Sequence, residues 1–355
     1  MELELPIVIT FIAYLAATLA IGFVAYKVTN TLSDYILGGR QLGPAVTALS
    51  VGASDMSGWL LLGLPGAIYL SGVSEVWIGV GLLIGAWCNW HFVAPKLRAF
   101  TEKANDSITI PEYLENRFKD KSRLLRLVSA TTILIFFTFY VSSGLVGGAI
   151  LFEKVFSLDY TTALIVGAVV IVSYTFLGGF LAVSWTDFFQ GCLMLIALVI
   201  LPIVTIQELG GMDATASQLN EINPEYASLM KGFTWVGFIS LMAWGLGYFG
   251  QPHILSRFMA IRSVKDIPTS KNIAMSWMLV SLVGALAVGL TGLAYFANSP
   301  LENSETVFIF LAKAILNPWV AGLIIAAILS AIMSTIDSQL LVCSSVIVED
   351  FYKHF

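Results

Sequence analysis

The residues best suited to chemistry are an aspartate and a pair of hydroxyls, each set in a stretch otherwise fit for hydrocarbon. Asp55 sits in Ser50-Val-Gly-Ala-Ser-Asp-Met-Ser-Gly-Trp59, and Ser334 and Thr335 sit in Ser330-Ala-Ile-Met-Ser-Thr-Ile-Asp337. An aspartate at the centre of a bilayer costs about 3 kcal/mol or more, and such residues usually mark ion paths. A small alkali cation asks for several neutral oxygens and little protein charge. Glycine-rich backbone that leaves the helix supplies free carbonyls, and hydroxyls on a facing helix complete the shell. Ala331 lies one turn before Ser334 and Thr335, so its carbonyl faces the same way. The competing reading is that both hydroxyls bond back to their own helix, and spacing alone does not choose.

A second stretch has the same character. Trp244-Gly-Leu-Gly-Tyr-Phe-Gly-Gln-Pro-His253 interrupts another apolar run, much as Asp55's stretch continues into Leu64-Pro-Gly-Ala67. Glycine costs about 1 kcal/mol in a helix interior and proline about 3 kcal/mol, so both runs are expected to break. Unwound backbone at membrane depth is tolerated only where protein buries it or it lines a cavity. The simpler alternative is that these glycines merely let helices pack closely. Two further acids lie near membrane depth. Asp187 is expected near the inner end of its helix, either as a cap or on an ion exit route. Asp337 shares the Ser334 face, with no role assigned.

The elements that must position these residues are membrane helices. The chain has 355 residues, 57% hydrophobic and 12% charged, against roughly 45–50% and about 25% in soluble domains. The excess collects in runs long enough to cross a bilayer core about 30 Å thick, which takes roughly 20 residues. Nine spans are expected, at 5–26, 44–70, 75–93, 127–147, 160–177, 188–207, 233–251, 273–296 and 318–347. The two breaks then lie five spans apart, as in transporters built from inverted repeats around one midplane site. This divides the chain into an extra N-terminal helix (1–27), a first five-helix repeat (43–207) and an incomplete second repeat (232–355), all one transmembrane domain. The 96–126 loop contains Thr109-Ile-Pro111, which is expected to open a short interfacial helix.

Charge orients the spans. All but three of the 18 Lys and Arg residues fall on one side. They comprise Lys27, Arg40, the 96–126 group, Arg257, Arg262, Lys265, Lys271 and Lys353. The other side holds Lys154, Lys231 and Lys313 among several acids. The positive-inside rule puts the N-terminus outside and the C-terminus in the cytoplasm. Glu2 and Glu4 precede a first run too long for a signal h-region, so that run reads as a retained helix. Cys88, Cys192 and Cys343 lack paired spacing and read as packing residues. No basic stripe suggests nucleic acid. No phosphate-binding loop and no metal-ligand spacing of His91, His253 and His354 suggests an enzyme.

At these residues the chain resembles the sodium:solute symporter family. The resemblance runs along its length and is carried by Asp34-Tyr-Ile-Leu-Gly-Gly-Arg40, Gly52 through Leu60, Gly178 through Asp187, Trp244 through Pro252, and Met333-Ser-Thr335 with Gln339 through Ser344. It implies an all-α, LeuT-like inverted-repeat fold and import of L-proline with sodium across a bacterial inner membrane, with no organic cofactor. Implied sodium ligands are the carbonyls of Ala53, Met56 and Ala331 and the hydroxyls of Ser334 and Thr335, with Asp55 in support. Ser57, Gly58, Tyr140, Trp244, Tyr248 and Pro252 are implied to line the proline pocket, Arg40 to stand at the cytoplasmic mouth and Asp187 to serve ion release.

The residues' own physics agrees in part. Aromatics give proline's ring a surface, and half-helix N-termini favour its carboxylate. Trp244 and Tyr248 are one turn apart beside the break, which favours a pocket, while Tyr140 alone suits ordinary packing equally well. Family members run beyond the ninth span, so two of ten core helices are expected to be absent. A non-transporting truncated or sensor-like module is therefore one alternative. A proton-coupled permease, with Asp55 carrying the proton, is another.

Overall fold

A computed structural model of the chain describes residues 5–353, with the side chains of 174–177 left aside. Glu2, Glu4 and His354 lie outside the described residues. Hydrocarbon offers backbone groups no partner, so apolar runs satisfy them within helices.

Helix α1 spans Leu5–Val28. Thr31 caps α2 (Leu32–Leu37) in a reciprocal box with Asp34. The Thr31 side-chain hydrogen bond holds the Asp34 carboxyl below its ordinary range. A left-handed turn through Gly38, Gly39 and Arg40 leads to α3 (Pro44–Met56) and, after one 3-10 turn, α4 (Gly63–Ser71). These two helices are bent by 74°. Helix α5 (Val76–Cys88) passes through a π turn, Asn89–Val93, into α6 (Ala94–Lys103). Thr109 then caps α7 (Ile110–Phe118), with proline in its first turn. The long α8 (Leu124–Phe156) is followed by α9 (Tyr160–Glu208), broken at Gly179, and by the short α10 (Met212–Ile222). Helix α11 (Trp235–Ala243) runs through a 3-10 stretch, Trp244–Gly250, into α12 (Pro252–Ala260). Three helices follow: α13 (Ile267–Tyr295), α14 (Val307–Ile315) and α15 (Pro318–Ser345).

Among the described residues six helices are long and apolar enough to cross a membrane, and the bent α3–α4 pair makes a seventh. The other two expected runs fall on shorter apolar helices, Tyr160–Ser173 and Trp235–Gly250. One boundary differs materially from the sequence reading. The sixth span begins at Gly178, not at 188, because the helix runs straight through Asp187. Gly179 makes that start possible: its φ of 57° and ψ of −150° are open to glycine without a Cβ penalty.

Helix α15 forms the centre of the bundle. Of its most apolar window 83% is buried, against 22% for α8, so α15 is enclosed by protein while α8 turns Phe136 and Phe139 outward. Helices α9, α8, α1 and α3 all pack on α15. On the far flank, α5 meets the second break at van der Waals limits. A Cβ on Gly85 would collide with the Gly245 carbonyl, so this crossing needs bare backbone on both sides.

Candidate cation and substrate site

The first break is built by chain geometry. Helix α3 stops at Met56 because Ser57 turns to φ 51° and ψ −173°. The last four carbonyls of a helix have no intrahelical partner, and here they include those of Ala53 and Met56. Ser57 accepts the Trp59 N–H and starts the 3-10 turn beyond.

Helix α15 brings its hydroxyls to those carbonyls. Ser334 Oγ donates to the Ala53 carbonyl at 2.8 Å and lies 3.2 Å from the Ala331 carbonyl. Thr335 Oγ1 lies 3.2 Å from the same Ala331 carbonyl. Each hydroxyl therefore bonds back to its own helix, and Ser334 also reaches across to α3. Ala53, Ala331, Ser334 and Thr335 thus cluster, with the Met56 carbonyl at the same helix end. Every donor atom is a neutral oxygen, the chemistry a monovalent hard cation takes.

A cavity of about 620 Å³ opens above this cluster. Asp55, Ser57, Gly58, Tyr140, Trp244 and Tyr248 line it, with Met56 and Thr335. The Tyr248 hydroxyl donates to Asp55, and Tyr140 and Ser57 share the cavity wall. Trp59 and Trp244 stack across the two breaks, 6.1 Å between ring centres. The cavity reaches toward Glu305, at the α4 end of the bent pair. Pro252 stands elsewhere: it opens α12 and lines a small separate space with Thr109, Arg257 and Ser338.

Beneath the cluster the bundle is sealed by ion pairs. Asp187, fully buried, accepts from Arg257 at 2.9 Å and from Ser50 at 2.6 Å. Arg257 also donates to Ser50 Oγ at 2.7 Å, to the His253 carbonyl at 2.6 Å and to Ser338. Asp187 therefore lies well inside α9, where it caps nothing. Asp337 is buried on α15 and accepts from Ser338 at 3.2 Å. Farther out, Arg40 bonds Asp106, Thr101, the Met259 carbonyl and the Ser107 carbonyl. Burial draws the Arg40 guanidinium below its ordinary range, with Asp106 opposing that shift, and the group stays cationic.

Sequence reasoning missed several participants. Arg257 counted as a loop charge, yet it is 1% exposed at the heart of the network. Its one available signal was position, four residues past His253 on the half-helix after a break. Ser50, Trp59 and Asn89 carried no signal of their own, since a serine, tryptophan or asparagine in an apolar run is unremarkable until its neighbours are known.

The sequence model of the sodium:solute symporter family matches residues 35–355. The chain belongs to the sodium:solute symporter family. Among curated proteins it is 54% identical to the sodium/proline symporter of Salmonella typhimurium, across 100% of this chain and 72% of that one. It is 56% identical to the high-affinity proline transporter PutP of Bacillus subtilis, across 94% and 71% respectively. Among solved structures a Na+-coupled sialic acid symporter, captured substrate-bound and outward-open, superposes with a TM-score of 0.88 at 21% identity. That match covers 100% of this chain and 76% of the symporter. Mhp1, a nucleobase-cation-symport-1 family transporter, matches with a TM-score of 0.61 at 14% identity, over 92% and 70%. These likenesses carry the fold, which is the all-α LeuT-like architecture of a multi-pass membrane transporter.

Proposed function

We propose that the chain carries out sodium-coupled symport of L-proline by alternating access, in a bacterial plasma membrane with its N-terminus outside and C-terminus in the cytoplasm. The observation that carries the reading is the gathering of neutral oxygens from Ala53, Ala331, Ser334 and Thr335 directly beneath a cavity lined by aromatics from the second break. Sodium sits among these oxygens and the Met56 carbonyl, with Asp55 in support. Proline lies above, its ring against Tyr140, Trp244 and Tyr248 and its charged end near Ser57 and Gly58. Pro252, which opens α12 outside this cavity, is left out of the pocket. The choice of proline rests on the relatives, which are named as proline carriers.

The cycle follows from differential affinity, since a ligand shifts a conformational balance only as far as it prefers one state. Sodium draws the carbonyls of the first break toward α15 and firms the cavity wall that proline meets. Rocking of the broken helices, which begin the two inverted repeats (43–207 and 232–355), then parts the Arg40 contacts. Asp187, released from Arg257, receives the ion on its way out. Uptake of labelled proline into proteoliposomes tests the reading: an imposed sodium gradient drives accumulation, and equal uptake with and without it refutes coupling. Asp55 motivates one rival, a proton in place of sodium. A pH gradient at constant sodium then drives uptake.

A further inference from the structure

We propose that Asn89 is a positioning residue that couples the two ligands, by fixing the backbone of the second break so that Tyr248 reaches Asp55. The inference rests on the symport reading above and extends it to a residue outside the cavity.

Asn89 lies where α5 changes into a π turn, Asn89–Val93. Such turns recur at functional sites because they rotate one side chain out of helical register. Its Nδ2 donates to the Tyr248 carbonyl at 2.9 Å. That carbonyl belongs to the 3-10 stretch Trp244–Gly250, where α-helical partners are missing, so the amide takes the place of a lost backbone donor. The other end of Tyr248 donates its hydroxyl to Asp55. A continuous chain of contacts therefore runs from α5, through the backbone and ring of Tyr248, to the carboxylate beside the sodium carbonyls.

Two independent features place Asn89 in this role. Gly85, one turn earlier on the same face of α5, is pressed against Gly245, so the whole face docks on the second break with no slack. Asn89 Oδ1 is buried and has no partner among the described residues. It borders a small space of about 20 Å³ shared with Asp55 and Tyr248, large enough for one water. Residues that pack only for stability rarely leave a buried acceptor open.

Equilibrium binding of labelled proline, with sodium titrated against potassium, tests the proposal. In Asn89→Ala the sodium concentration giving half-maximal proline binding rises about tenfold, the size of one hydrogen bond, while the number of sites at saturating sodium is kept. Asn89→His, whose ring Nδ1–H stands where the amide nitrogen did, restores part of the loss. In a Tyr248→Phe background, Asn89→Ala adds no further shift, because the link to Asp55 is already cut. Additive shifts in the double variant, or an unmoved sodium dependence in Asn89→Ala, overturn the inference. If the unmodified chain binds proline without regard to sodium, the symport reading fails instead, so the two failures are separable.

Discussion

The hydroxyl of Tyr248 donates to the carboxylate of Asp55, joining the second helix break to the first across the cavity. Asp55 is in the last turn of α3, between Ala53 and Met56, whose carbonyls are the proposed sodium ligands. Tyr248 is in the 3-10 stretch after α11. Movement of either break therefore changes the surroundings of the other, as coupled binding requires.

Tyr248→Phe leaves the Asp55 carboxylate short of a donor, at a cost of about 1–3 kcal/mol. The expected outcome is a fall in sodium-dependent proline affinity of roughly 5- to 150-fold. Isothermal binding with and without sodium reads it. A uniform loss at every sodium concentration would place Tyr248 in the pocket alone.

Ser334→Ala and Thr335→Ala each remove one neutral oxygen facing the first break. Each is expected to raise the sodium requirement for proline binding, by about 1 kcal/mol or more. Thr335→Ser keeps the hydroxyl and should stay within about 0.5 kcal/mol of the parent. Failure of that rescue would mean the Thr335 methyl, rather than its oxygen, is what matters.

Much of this arrangement was legible in the chain because membrane helices obey strict rules. The glycines and proline of 244–252 gave the second break, since interior helix costs are large and hydrocarbon forbids loose backbone. Ser334 and Ala331 could be placed on one face by helical period alone. The start of the sixth span was not legible, because Asp187 interrupts the apolar run and only its tertiary partners, Arg257 and Ser50, make it tolerable inside a helix. Arg257 itself was hidden for the same reason. A charge count assigns it to a loop, and only the fold shows it buried. Asn89 depends on a π turn and on a backbone carbonyl of a distant segment, neither of which leaves a mark in local sequence.

Asp187→Asn takes one charge from a fully buried pair and leaves Arg257 without its counter-ion. Breaking a buried pair this way costs about 3–5 kcal/mol. A lower unfolding temperature in detergent is expected. Asp187→Asn combined with Arg257→Gln should lose less than the sum of the single changes. Strict additivity would show that the two side chains do not interact.

Arg40 ties α12 to the α6–α7 segment through Met259, Thr101 and Ser107, closing the end of the bundle opposite Glu305. Arg40→Gln should loosen that end. With Cys88, Cys192 and Cys343 replaced by serine, a single Ser256→Cys probe beneath the network should react faster with a membrane-impermeant maleimide in the Arg40→Gln background. Unchanged labelling from that side would remove Arg40 from the closure.

Sodium titration of labelled proline binding to the purified chain, against potassium at constant ionic strength, decides the matter of coupling most directly. Sodium tightens proline binding, and Ser334→Ala or Thr335→Ala shifts that dependence to higher sodium without abolishing binding at saturation. Proline binding that is saturable yet indifferent to sodium would contradict the account, because the oxygens gathered between α3 and α15 would then hold no ion that the substrate pocket senses.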